Sequence, residues 1–158
     1  MILEKDLEDF VKLLNNYKVA YMIVGGYALA LHGKPRHTGD LDIWIDISED
    51  NAAKLITVLK EFGMGSLGLK KEDFLKPGFI NQIGYPPLRI DILNSIDGVS
   101  FSDASAGMQI IHLEDGLVLN YIGLDDFLLN KQASGRKQDL ADIREIKKLQ
   151  SHGRAGKK

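Results

Sequence analysis

Cysteine is absent from the 158 residues, which excludes disulfide scaffolds, zinc sites built on cysteine and thiol nucleophiles, and makes a reducing cytoplasm the expected home. No run approaches the roughly 18 apolar residues that a membrane helix needs, and the opening stretch Met1 to Asp6 already carries charge where a signal peptide would be apolar. Neither sign of charge prevails. Twenty basic and 22 acidic residues leave a formal net charge of -2, too small a field to imply a nucleic-acid or membrane partner for the protein as a whole. There is also no internal repeat, no interdomain linker, no Gly-x-x-x-x-Gly-Lys-Ser/Thr loop, no Gly-x-Gly-x-x-Gly fingerprint and no kinase catalytic-loop pattern. A hydrophobic content of 44% suffices for one core at this length. The expectation is one domain over residues 1–150, followed by a small, polar, basic and disordered tail over 151–158.

What is present is strongly patterned. Leu3, Leu7, Phe10, Val11 and Leu14 recur at helical spacing and predict an amphipathic helix ending near Asn15 or Asn16. The apolar run Ala20 to Val24 predicts a buried strand, closed by Gly25-Gly26 and turning into a short helix over Tyr27 to His32. From Asp40 to Ile47, Leu41, Ile43, Ile45 and Ile47 alternate with Asp40, Asp42, Trp44 and Asp46, so this strand has one apolar and one acidic face. Ser48 caps a helix whose stripe is Ala52, Leu55, Ile56, Leu59 and Phe62. Glycine and proline punctuate residues 63–87, around a short strand near Phe79 to Ile83. Leu88, Ile90 and Ile92 alternate with Arg89 and Asp91 in another strand. Gln109 to Leu113 and Leu117 to Ile122 flank Glu114-Asp115-Gly116 as a hairpin, and two helices close the chain. The fold class is α/β.

The chemistry lies on the acidic face. Side chains two apart on a strand share a face with Cα atoms about 6 to 7 Å apart, so Asp40 and Asp42 can share a divalent metal. Carboxylates that close repel, and Mg²⁺ or Mn²⁺ would compensate them. Asp91 becomes the third metal ligand if its strand neighbours that of Asp40. Three carboxylates around two metals roughly 3.5 to 4 Å apart suit nucleotidyl transfer, with Asp91 as the best placed general base. Gly25 and Gly26 offer bare backbone to a triphosphate. Arg36 and Thr38, in the loop before Asp40, are candidate phosphate or acceptor contacts, and Tyr27 is a candidate for base stacking. His32, His37 and His112 have no metal-cage spacing. Arg144, Lys147, Lys148, Arg154, Lys157 and Lys158 form a basic end that can touch RNA.

The order Val24-Gly25-Gly26, thirteen positions, Asp40-Leu41-Asp42-Ile43 and then Ile90-Asp91-Ile92 resembles the signature of the nucleotidyltransferases of the DNA polymerase beta superfamily. In finer detail, Gly25 to Gly33, Arg36 to Asp42, Lys131, Gly135-Arg136 and Asp139-Leu140-Ala141-Asp142-Ile143 are similar to the small bacterial members related to abortive-infection toxins. Gly26 stands where many superfamily members have serine, as in that toxin-like branch. The resemblance implies a mixed sheet with flanking helices, Mg²⁺, a nucleoside triphosphate donor such as ATP, and Lys131 and Arg136 placed against the nucleotide. The acceptor stays open among RNA, a protein side chain and a small-molecule antibiotic. The short chain leaves little for a separate acceptor domain, which favours a macromolecule. The alternative is a regulatory, antitoxin-type protein partner that uses its acidic site little.

Overall fold

The computed structural model describes residues 4–33, 39–85 and 88–155. In chain order the elements are α1 (Lys5–Asn16), β1 (Tyr21–Val24), α2 (Gly25–Leu31), β2 (Asp40–Ile45), α3 (Glu49–Glu61), two short 3-10 turns (Gly65–Leu67 and Lys71–Leu75), β3 (Ile80–Tyr85), β4 (Leu88–Leu93), α4 (Phe101–Ala106), β5 (Gln109–His112), β6 (Val118–Tyr121), α5 (Leu124–Ser134) and α6 (Lys137–Ala155). The strands form one sheet in the order β3-β4-β2-β1-β6-β5. β3 with β4, β2 with β1 and β6 with β5 run antiparallel, whereas β4 with β2 and β1 with β6 run parallel. The sheet is therefore mixed, and helices flank it, as expected for an α/β chain.

Local chemistry explains the elements. The apolar stripe of α1 puts Leu7, Phe10, Val11 and Leu14 into the core. Ser48 caps α3 by accepting from Asn51 N–H at 3.1 Å, so the first turn has a partner for one of its orphan donors. Asn51 itself is 4% exposed and is fully committed: its Oδ1 accepts from Ala20 N–H, and its Nδ2 donates to the carbonyls of Ala20 and Asp46. One side chain thus ties the start of α3 to the chain entering β1 and the chain leaving β2. Asn94 does the same at the other side of the sheet, accepting from Phe79 N–H and donating to the carbonyls of Phe74 and Lys76.

Three boundaries differ from the sequence reading. α2 starts at Gly25 with no intervening turn, because Gly25 makes the turn itself at φ +67°, in the left-handed region that glycine adopts without strain. The segment before β5 contains α4, capped by Ser100 accepting from Asp103 N–H at 3.2 Å. α6 continues to Ala155, beyond residue 150, where a polar tail was expected to begin.

Candidate active site

The register of the two central parallel strands builds the site. β2 and β4 are neighbours, with Asp42 opposite Asp91 and Asp40 opposite Arg89. The two facing carboxyl groups lie within hydrogen-bond reach of each other. Burial, then the hydrogen bond and charge of Asp91, then the charge of Asp40 push Asp42 up to about 7, against an opposing pull from Lys131. Asp91 also accepts from Gln82 Nε2 at 2.9 Å. Asp40 is paired with the Arg89 guanidinium, Nε to Oδ1 at 3.1 Å and Nη2 to Oδ2 at 3.3 Å.

The glycine turn is seated on this pair. A Cβ on Gly25 would lie 1.9 Å from Asp42 Oδ2, so glycine is needed there for contact as well as for backbone conformation. Gly26 follows in the first turn of α2 and Tyr27 after it. Tyr27 is half-buried against the core. Burial, with the charges of Glu4 and Asp40, raises its phenol above the usual range, so Tyr27 stands within electrostatic reach of the acidic face. Gly25, Gly26, Tyr27, Asp40, Asp42 and Asp91 are thus brought together around the carboxyl ends of β1 and α2's start. Arg36 and Thr38 lie outside the described residues.

Lys131 and Arg136 meet at one carboxylate rather than at open space. Lys131 Nζ donates to Asp139 Oδ1 at 2.9 Å, Arg136 Nε donates to Asp139 Oδ2 at 2.8 Å, and the Ser134 hydroxyl donates to the same oxygen. The Asp139 side chain is 3% exposed and that of Lys131 12%. Burial alone would raise the Asp139 pKa, but the three hydrogen bonds outweigh it and hold the group at about 2. Lys131 lies 5.5 Å from the centroid of the Phe127 ring and is near enough to lower Asp42. Trp44 shares the acidic face of β2 but is 1% exposed and packs edge-on to Phe101, so it serves the core. His32 bonds the Ile122 carbonyl through Nε2 at 2.9 Å, and burial lowers its pKa. That is a structural role.

Among the described residues no three His, Cys, Asp or Glu side chains are grouped as a metal cage. The donor chemistry nonetheless fits a hard divalent cation: two neighbouring carboxyl groups, one of them raised by burial and by the other's charge, present oxygen ligands that a cation would relieve of their repulsion. Asp40 is turned onto Arg89 instead. Sequence reasoning assigned no role to Arg89, Gln82 or Asp139. Arg89 was detectable in principle, since period two places it on the same face as Asp91. Gln82 carried no signal at all, because its relevance arises only from the pairing of β3 with β4.

The comparisons agree on the fold. A family model for aminoglycoside-2''-adenylyltransferase matches residues 6–75, which contain α1 through α3 and the Gly25-Gly26 and Asp40-x-Asp42 elements. No curated protein matches significantly. Among solved structures, a candidate nucleotidyltransferase from Thermotoga maritima superposes with a TM-score of 0.55 at 15% identity, covering 94% of this chain and 91% of the other. The lincosamide antibiotic adenylyltransferase LnuA, in its lincomycin-bound form, superposes with a TM-score of 0.53 at 19% identity, covering 92% and 97%. An antigenic nucleotidyltransferase-like protein from Paracoccidioides brasiliensis gives 0.52 at 17% identity, covering 93% and 78%. The chain has the nucleotidyltransferase fold over nearly its whole length.

Proposed function

We propose that the chain is a divalent-cation-dependent nucleotidyltransferase that moves a nucleoside monophosphate from a nucleoside triphosphate to a hydroxyl group. The observation that carries this reading is the Asp42–Asp91 carboxyl contact across β2 and β4, with Gly25 backbone seated against Asp42. Asp42 and Asp91, joined by Asp40, would hold the cation, which when bound supplies charge neutralisation for the triphosphate and for the leaving group. Asp91 would take the acceptor proton. The acceptor oxygen bonds to the α-phosphorus, the bond from that phosphorus to the bridging oxygen breaks, and pyrophosphate leaves with its electron pair. The bare backbone of Gly25 and Gly26 lets the triphosphate approach the carboxylates. Tyr27 is positioned beside them, and Arg36 and Thr38 are proposed as phosphate or acceptor contacts. Lys131, and with it Arg136, contributes positive potential from the Asp139 cluster rather than a free ammonium.

The acceptor proposed first is a macromolecule, RNA or protein, with the basic residues Arg144, Lys147 and Lys148 on α6 as candidate contacts. A small antibiotic hydroxyl is the second reading, supported by the aminoglycoside adenylyltransferase match over residues 6–75 and by the likeness to a lincomycin-bound adenylyltransferase. The test supplies each α-labelled triphosphate with Mg²⁺ to the protein, in the presence of cell lysate, aminoglycosides or lincomycin, and separates protein, RNA and small molecules. Label in any one class with release of pyrophosphate supports the reading and identifies the acceptor. Absence of both transfer and Mg²⁺-dependent triphosphate binding would sink it.

A further inference from the structure

Five side chains from three adjacent strands form a continuous chain of contacts at the carboxylate site. Asp40 on β2 holds Arg89 on β4 through two hydrogen bonds, Nε to Oδ1 at 3.1 Å and Nη2 to Oδ2 at 3.3 Å. Arg89 Nη1 donates to Gln82 Oε1 on β3 at 3.4 Å, and Gln82 Nε2 donates to Asp91 Oδ1 at 2.9 Å. Asp91 in turn meets Asp42. The backbone register sets every link: Asp40 pairs with Arg89, Asp42 with Asp91, and Gln82 with Asp91.

The charges explain what the chain of contacts does. Three carboxyl groups within one patch need countercharge. Asp40 meets this need with the Arg89 guanidinium, which holds both of its oxygens. The side-on, two-bond geometry is the one in which arginine holds a carboxylate best. It also engages both oxygens of Asp40, the atoms a cation bridging Asp40 and Asp42 would need. The side chains are 36% and 35% exposed, so water can reach the pair and the partners can exchange without unfolding.

We propose that Arg89 is a resident counter-cation of the carboxylate site, that it competes with the divalent cation for Asp40, and that Gln82 positions it there. Arg89 thereby lowers the affinity of the nucleotide-free site for cation. Once displaced, its guanidinium lies beside the site as a donor for a phosphate oxygen, so cation and triphosphate bind better together than singly. This inference rests on the proposed nucleotidyltransferase reading for the identity of the cation ligands.

The test is calorimetric titration of Mn²⁺ into the nucleotide-free full chain, before any activity is considered. Arg89→Met should bind Mn²⁺ at least fivefold more tightly than the natural sequence. Arg89→Lys should fall between, about twofold tighter, because an ammonium lacks the planar fork; it also carries the test if the methionine variant does not fold. Removing any nearby positive charge could raise cation affinity, so the decisive comparison is in the Asp40→Asn background, where Arg89→Met should change affinity less than twofold. An Arg89→Met or Arg89→Lys protein that binds Mn²⁺ no more tightly than the natural chain would overturn the proposal. So would an undiminished gain in the Asp40→Asn background. Failure of the natural chain and every variant to bind Mn²⁺ also overturns the proposal, and Mg²⁺-dependent triphosphate binding then decides the nucleotidyltransferase reading separately, whereas binding by the natural chain without tightening in the variants refutes the Arg89 competition alone.

Discussion

Replacing Asp139 by asparagine isolates the role of the most heavily bonded carboxylate in the structure. Asp139 receives hydrogen bonds from Lys131, Ser134 and Arg136 and is almost wholly buried. Its folded-state pKa is about 2 against an ordinary 3.8, which at 1.36 kcal/mol per pH unit corresponds to about 2 kcal/mol of stability carried by the ionised form. Because the pKa is depressed on folding, that contribution is complete above about pH 4 and is lost as pH falls from there towards 2. Asp139→Asn keeps the shape but removes the charge. It also leaves Lys131, 12% exposed, with a neutral acceptor in place of its ion partner. The variant should therefore melt about 5 °C below the natural chain at pH 7, given about 2 to 4 °C per kcal/mol at this size. Thermal melts followed by circular dichroism from pH 7 down to 2 would show the gap closing below pH 4, since the natural chain then loses what the variant never had. A gap that is absent at pH 7, or one that persists unchanged at pH 2, would refute the assignment of the shift to the Lys131, Ser134 and Arg136 bonds.

Gly25→Ala should cost about 3 kcal/mol or more, combining positive-φ strain with a methyl placed against Asp42 Oδ2; urea unfolding measures it, and a loss under 1 kcal/mol would contradict the close seating. Asp42→Asn, melted with metal chelated at pH 8.5, should be at least as stable as the natural chain: burial and Asp91 raise the carboxyl to about 7, so its ionisation above that pH works against the folded state, and stability is lost as pH rises from about 4 to 7. A melting temperature several degrees lower would make Asp42 a structural residue. Triphosphate binding should require Mg²⁺ or Mn²⁺, and equal affinity for ATP and GTP with and without excess chelator, by calorimetry, would contradict the cation-dependent reading.

Much of the architecture was legible from local pattern. Period-two alternation located β2 and β4, the stripe of α1 and the Ser48 cap of α3 marked their helices, and Glu114-Asp115-Gly116 marked the hairpin of β5 and β6. These signals are local because side-chain direction follows from backbone period, and caps and turns act within three or four residues. The same reasoning placed Asp40 and Asp42 on one face. The start of α2 was misjudged by two residues because glycine was read only as a turn, whereas Gly25 both turns and opens the helix.

Pairing across strands was beyond the reach of that pattern. The residue types at Asp40, Asp42 and Asp91 were enough to suggest a cation site, but only the parallel register of β2 and β4 put Asp42 against Asp91 and Asp40 against Arg89. The pairing of β3 with β4 brought in Gln82, and the packing of α5 with α6 turned Lys131 and Arg136 onto Asp139. Each of these outcomes depends on contacts between residues far apart in the chain. A shift of one residue in register would exchange every facing partner, so local sequence determines which groups are available on a face, and tertiary structure decides which of them meet.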